Sequence, residues 1–482
     1  MTMRTFLTRT LGAAAALGAT LAHAAPVPAP GFLVRSIPTP GVVQGGVVRQ
    51  GNVLLVGQGA FGAGTETIVR LDGPVATTIA TGFNSLGGFD ADGGTLYVVD
   101  NCFGSDFGCA GATTGDTIYA IADATTRATS VTAGASTVLP NGTITAGQDV
   151  LVVPGAVLIS DARGIGTGRV IKLVGTMPTN LVNGLDFLGG LATDGSTLFV
   201  ANLDGDFLGN VEKYTLAGVP AGTLASGLSG SFAVALDGGG NVLVTGGFTN
   251  DFSSSTLVAF NSGGSPTEWA HGFSFSSDVF YDKARGEALV LDFGATAVAV
   301  VCPDADDDGI CDGSCTGPAS MAKTKLKIGK QATPVGDDTL KLSGEMTIPA
   351  LPALDPPSAG ARLLVEDADG HAIVDVVVPP GAYDPVTKTG WRPNSKGTTW
   401  TYKNPVGELG IIQLAVKTSK KVPGLVKVSA TCKHGAYAAA GAALPLRALV
   451  SLTAAGQCGL ATFTAPGQTC ALDPKGQSLT CK

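Results

Sequence analysis

Six short apolar runs recur along the first 300 residues: Val53–Val56, Leu96–Val99, Val157–Ser160, Leu198–Ala201, Val242–Thr245 and Ala288–Leu291. The residue after each is small or acidic, in the order Gly57, Asp100, Asp161, Asn202, Gly246, Asp292. The last four runs are spaced by roughly forty residues, the size of one strand-built repeat. The single long step, from Asp100 to Asp161, carries an insertion. Runs this short, set between Gly and Asp turn text, are strands of a small sheet that cannot bury a face alone. Radial stacking of such sheets buries it.

Repeat two shows the unit: Gly87-Gly88-Phe89-Asp90, the turn Asp92-Gly93-Gly94, Thr95–Val99, a loop, then Asp116–Ile121. Asp-Gly between alternating apolar stretches predicts a tight hairpin, because both positions tolerate positive φ. Repeat four matches it with Gly189-Gly190-Leu191-Ala192-Thr193, Asp194-Gly195, Thr197–Ala201 and Asn210–Leu216. Repeat five does so with Phe232–Leu236, Asp237-Gly238, Asn241–Thr245 and Ser255–Phe260, and repeats one, three and six follow less regularly. Outer strands are expected from segments such as Ala76–Ala80 and Ala221–Ser226. Six blades of four strands, closed on themselves, leave no exposed sheet edge. The 69 glycines among 482 residues, about twice the ordinary share of ~7%, supply the turns.

The stretch Gly189–Asn202 resembles the blade repeat of NHL and SMP-30/gluconolactonase-like six-bladed propellers, and the resemblance extends over about residues 31–301. Such propellers include lactonases, lyases and plain binding scaffolds, so the resemblance implies a fold rather than one activity. Equivalent positions of several blades converge on one opening, which makes Asp100, Asp161, Asn202 and Asp292 the candidate channel site. The resemblance implies a divalent metal there, as in SMP-30-like lactonases. The competing reading has each side chain capping its own β-turn. The family also uses an early Glu ligand, and Glu66, in a Gly/Thr stretch, is the only Glu of the first blade.

The rest of the chain differs in character. Residues 320–482 hold 18 Lys/Arg against 11 Asp/Glu, a balance of +7, and the remainder holds 12 against 27, or −15, which together make the chain's −8. Alternating runs such as Lys325–Ile328, Leu340–Leu342, Arg362–Glu366, Ala372–Val378 and Gly410–Val416 predict a β-sandwich, with Asp369-Gly370 as a hairpin turn. The expected fold is therefore all-β: a six-bladed β-propeller over 31–301, a linker over 302–318 and a smaller C-terminal β-sandwich over 320–482. The acidic half argues against a nucleic-acid partner. The basic half suits an acidic surface or glycan, or is a solvated lysine face. Trp391, Trp400 and Tyr402, near Arg392, Lys396 and Lys403, either stack on sugars or fill the sandwich core.

Arg4 and Arg9, the uncharged stretch Leu11–Leu21 and Ala22-His23-Ala24 follow the order of a secretory leader. Residues 1–24 are thus expected to be removed and the protein to work in the periplasm, at the cell surface or outside. No later run reaches the ~20 apolar residues of a membrane span. Nine cysteines in an exported chain should be mostly paired. Cys102 is expected to pair locally with Cys109, Cys302, Cys311 and Cys315 cluster, Cys432, Cys458, Cys470 and Cys481 lie in the basic half, and one thiol is left over.

The sharpest motif is Asp304-Ala305-Asp306-Asp307-Asp308-Gly309-Ile310-Cys311-Asp312. Carboxylates at positions 1, 3 and 5 (Asp304, Asp306, Asp308), Gly at 6, the Ile310 carbonyl at 7 and Asp312 at 9 have the ligand order of a Ca2+ loop. Position 12 is Cys315 rather than Glu, and no helix-forming text flanks it. The stretch resembles a thrombospondin type 3 repeat, with Cys302, Cys311 and Cys315 as staples, which implies structural Ca2+ in the linker. A solvated acidic hinge is the competing reading.

Histidine offers little. His271, beside Glu268 and Trp269, is the only one of the propeller, and His371 and His434 lie outside any motif, so neither a Ser-His-Asp triad nor a His-based zinc site is expected. Gly57-Gln58-Gly59-Ala60-Phe61-Gly62 matches GxGxxG but leads into strand text, which argues against a dinucleotide site. The expected function is an exported binding or scaffold protein, with a non-catalytic propeller face for a macromolecule or small ligand and a structural calcium loop. The rivals are a metal-dependent hydrolase or lyase of the SMP-30/NHL type, acting on a lactone or similar ester, and glycan adhesion through the C-terminal domain.

Overall fold

The computed structural model describes residues 25–482 except 74, 104–110, 163, 205–207, 247–254, 314, 332–333, 335, 408–409, 438, 453–456 and 465–468. The leader (1–24) and Cys109 lie outside the described residues. The chain forms two compact units that divide after Cys302.

In the first unit the six apolar runs are the second strands of six antiparallel blades: Val53–Gln58, Thr95–Asp100, Ala156–Asp161, Thr197–Leu203, Val242–Gly246 and Glu287–Asp292. Neighbouring blades cover both faces of these strands, so they read as unbroken apolar runs instead of alternating. The first strands are Val43–Gln50, Leu86–Asp92, Gly147–Val153, Phe187–Thr193, Ser231–Leu236 and Ser276–Asp282. Each packs on the first strand of the next blade, and the sixth packs on the first, so the ring closes at six. The approach is backbone to backbone: a Cβ on Gly189 would lie 1.9 Å from the Phe232 carbonyl oxygen. Only glycine fits there. At the hairpin of blade two, Gly93 and Gly94 take φ of 54° and 87°, as a two-residue turn of this hand requires.

Two features depart from the plain repeat. Phe32–Pro38 joins Ala297–Pro303 as the outer strand of blade six, so the beginning and end of the unit share one sheet. Among the described residues blade two has three strands, not four. After Thr117–Ile121 the inserted chain crosses to blade one, where Val131–Thr132 pairs in parallel with its outer strand. The insertion then drops Leu139 and Ile144 into the core beside Ile118 and Ile159. Beside Thr117–Ile121, Thr137 makes a single antiparallel bridge with Tyr119 and Val138 N donates to the Ile118 carbonyl at 2.9 Å, so this short segment takes the place of the fourth strand.

The second unit is a β-sandwich. An eight-stranded sheet runs in the order Gly390–Pro393, Thr399–Lys403, Ile411–Thr418, Leu425–Gly435, Asp338–Thr347, Ala322–Gly329, Ser478–Cys481, Cys470–Leu472. A five-stranded sheet runs Ala319–Ser320, Cys458–Thr462, Arg447–Ser451, Ala361–Glu366, Ala372–Val378. Inward residues of both, among them Leu342, Val428, Leu363 and Val450, make one core. Trp391 and Tyr402 belong to that core, with ring centroids 5.4 Å apart, and the Trp391 Nε1 donates to the Pro379 carbonyl at 2.9 Å. Trp400 packs half-buried against it. These aromatics fill the sandwich instead of presenting a sugar platform.

Candidate functional site

Asp100, Asp161, Asn202 and Asp292 stand at or near the ends of the second strands, and all four are buried. Each accepts backbone N–H groups from the chain entering the first strand of its own blade. Asp100 takes Ser85 N at 2.7 Å and Asn84 N at 3.1 Å. Asp161 takes Ala146 N at 2.9 Å and Thr145 N at 3.0 Å, with Arg169 Nε on its other oxygen at 2.8 Å. Asn202 takes Asp186 N at 2.9 Å and donates to Glu212 Oε1 at 2.9 Å. Asp292 takes Phe275 N at 2.7 Å and Ser274 N at 3.1 Å. One device is repeated four times: the geometry makes each a turn cap within its own blade.

Three further carboxylates occupy the ring itself. Asp90, Asp149 and Asp278 lie on first strands, and each reaches the first strand of the following blade. Asp90 Oδ2 accepts Val152 N at 2.6 Å, Asp149 Oδ2 accepts Leu191 N at 2.7 Å, and Asp278 Oδ2 accepts Val47 N at 2.8 Å. Burial lifts all three carboxyls above the usual carboxylate range, Asp90 to about 6, and neighbouring carboxylates add to it: Asp92 at Asp90, Asp278 and Asp90 at Asp149, and Asp90 at Asp278. Glu66 makes the corresponding bridge between blades one and two. It is wholly buried at the start of Glu66–Asp72, with Oε2 on Leu86 N at 2.5 Å and Oε1 without a partner. The seams around blade five use hydroxyls instead: Ser231 Oγ donates to the Asn210 carbonyl at 3.2 Å, and the Ser255 and Ser276 hydroxyls meet at 2.8 Å. Sequence reasoning missed the inner-strand acids. The available signal was an Asp where Gly190 and Ala233 stand in other blades (Asp149, Asp278) or where Ala192 and Ala235 stand (Asp90).

The acidic loop is built into the sandwich unit, which begins at Pro303. Carboxylate oxygens of Asp304, Asp306 and Asp308 lie within 4.8 Å of one another. Asp304 holds the turn by accepting Asp308 N at 3.2 Å and Gly309 N at 3.1 Å, and Asp312 accepts Ala305 N at 2.9 Å. Ile310 is buried with Cys315, Leu364, Leu449 and Cys458. Arg447, paired with Glu366, donates to the carbonyls of Asp308 and Gly309 at 3.0 and 3.2 Å. Burial, then repulsion within the loop, lifts Asp308 to about 6 against the pull of Arg447. Asp308 Oδ2 and Asp312 Oδ1 are buried without a hydrogen-bond partner. Such oxygens fit a hard cation.

Among the described residues one other cluster has metal-type donors within 4.8 Å: Asp367, Asp369 and His371, at the Asp369-Gly370 hairpin. His271 lies on the outer strand of blade five, not in a loop, in an exposed pair with Glu268 at 2.8 Å. Cys315 pairs with Cys458, 143 residues away, and Cys470 with Cys481. Cys102, Cys302 and Cys311 are also disulfide-bonded. The left-over thiol is Cys432, buried and lifted to about 12 by that burial. These bonds fit an oxidising compartment. No helix among the described residues is long and apolar enough to cross a membrane.

No protein-family model and no curated protein matches the sequence. Solved structures similar to it include a gluconolactonase of Xanthomonas campestris, at 15% identity and TM-score 0.35, covering 58% of this chain and 99% of that one. The calcium-binding protein regucalcin of Agrobacterium tumefaciens matches at 12% and 0.35, covering 52% and 82%. A PQQ-bound aldose sugar dehydrogenase of Streptomyces coelicolor matches at 13% and 0.38, covering 57% and 99%.

Proposed function

We propose that this is an exported binding protein whose propeller serves as a platform for a macromolecule or small ligand and whose acidic loop holds structural calcium. One observation supports a non-catalytic ring: the four side chains that the repeat places best for a channel metal have their acceptor oxygens on N–H groups of their own blades. The calcium part rests on the two orphaned oxygens of Asp308 and Asp312. Asp304, Asp306, Asp308, Asp312 and the Ile310 carbonyl would hold the ion, in the manner of a thrombospondin type 3 repeat. A bound cation neutralises carboxylates that otherwise repel. Calcium at a hundred times its Kd is expected to stabilise the sandwich by about 2.7 kcal/mol relative to EDTA. Asp304→Ala with Asp308→Ala should abolish the response. Identical melting curves with calcium and EDTA would sink the calcium reading.

A second reading, a metal-dependent hydrolase acting on a lactone or similar ester, is favoured by Asp90, Asp149 and Asp278. Buried carboxyls that titrate nearer neutrality suit proton transfer. One of the similar structures carries the name of a gluconolactonase, but at 15% identity the likeness brings no chemistry to these residues. Metal analysis of the purified protein and a lactone-hydrolysis assay separate the two. Turnover lost in Asp149→Asn supports the enzyme; no propeller-bound metal and no turnover leaves the platform.

A further inference from the structure

The open face of the eight-stranded sheet has no part in the readings above. Its inward residues form the core, and its outward residues alternate with them. One row of cross-strand neighbours runs Lys403, Gln413, Thr431, Lys341, Lys327, Thr480. Adjacent rows add Lys325, Lys417 and Lys427. The carboxylate on these rows, Glu345, is already taken by Lys323 at 3.0 Å and Lys427 at 2.5 Å.

Two observations set this face apart from an ordinary solvated surface. Lys327 stands directly opposite Lys341, and Lys417 directly opposite Lys427. Like charges opposed across a ladder repel, and surfaces selected only for solubility mix both signs. These strands are interior to the sheet, so the lysines do not serve as edge blockers. The second observation is what separates the charges: Thr, Ser and Gln. A shallow hollow lined by Lys325, Lys327, Lys341, Ser429, Thr431 and Thr480 lies in the middle of the face. The nearby aromatics Trp391 and Tyr402 point into the core.

We propose that this face binds an anionic polysaccharide, a uronate-bearing glycan being the best fit. Strands about 4.8 Å apart set the ammonium groups in a flat array that meets a polymer charged at regular intervals. Lysine supplies swivelling point charges where phosphate recognition favours the arginine fork. The interleaved hydroxyl and amide groups match sugar hydroxyls. Base stacking needs exposed aromatic rings, and lipid insertion needs exposed apolar side chains. The rows offer neither. The inference is independent of the propeller reading.

The test uses the full chain on immobilised polygalacturonate, with neutral dextran as reference, at low salt. Retention on the polyuronate alone, falling steeply as salt rises, is expected. Lys327→Gln with Lys341→Gln should weaken it at least tenfold while the melting temperature stays level or rises, because a repulsion has been removed. Lys420→Gln, in a loop off the face, should leave retention unchanged. The proposal is overturned by absent retention, by a double variant that binds as before, or by phosphatidylglycerol vesicles or duplex DNA captured better than the glycan.

Discussion

The two units handle charge in opposite ways. The propeller keeps many of its acids inside: Glu66, Asp100, Asp161 and Asp278 are each under one-tenth exposed, and each accepts backbone N–H groups. The sandwich sets a group of lysines, Lys325, Lys327, Lys341, Lys403, Lys417 and Lys427, outside on the open face of its larger sheet. The cause is geometric. A ring of separate blades leaves N–H groups at the seams and turns that no ladder satisfies, and a carboxylate offers two oxygens for them. A continuous eight-stranded sheet satisfies its own backbone and leaves its outer face free to carry charge. The balances of −15 and +7 are therefore not two surface charges of those sizes.

The comparison breaks most visibly under deletion of a buried acid. Asp161→Ala strands Thr145 N and Ala146 N and leaves Arg169 without its carboxylate. A loss of about 2–4 kcal/mol is expected in urea denaturation, against under ~0.5 kcal/mol for Lys341→Ala. Equal losses would erase the distinction between the units.

A pH titration sharpens it. Burial raises Asp90 to about 6 and Asp100 to about 7, and raises Asp278 as well. With unfolded values near ~4, the folded chain binds more protons between those limits, so propeller stability falls as pH rises through that window. Moving from pH 7.5 to 5 should therefore stabilise the propeller by on the order of 1–3 kcal/mol, and Asp278→Asn should flatten part of the slope. A propeller that loses stability over the same step would contradict the buried-acid picture.

The smallest effect belongs to the hydroxyl seam. Replacing Ser255 and Ser276 together by Ala removes the hydroxyl pair and the acceptor of one N–H, that of Ser276, and should cost about 1–2 kcal/mol in the same assay. A loss matching that of Asp161→Ala would mean that hydroxyl and carboxylate seams are equivalent.

Legibility followed the range of the interaction. The second strands stood out because burial on both faces makes them unbroken apolar runs, and Asp92-Gly93-Gly94 announced its hairpin through turn chemistry. Asp100 and Asp292 were legible as a column, but their role was not, since a cap and a ligand need the same residue in the same place. Asp90, Asp149 and Asp278 were hidden inside strand text, because their partners belong to the next blade. Cys315 looked like a local staple, and its partner lies 143 residues away.

The amino-acid order alone determined the six-fold repeat, the strand-and-turn content, the division near residue 302 and the ligand spacing of the acidic loop. All of these rest on neighbours a few residues apart. Only the folded chain decided that Phe32–Pro38 would complete blade six, which carboxylates would bridge the seams, and that lysines from separate strands would share one row. Those outcomes depend on segments distant in sequence meeting in register, and pairing at that range is set by the packing of the whole unit.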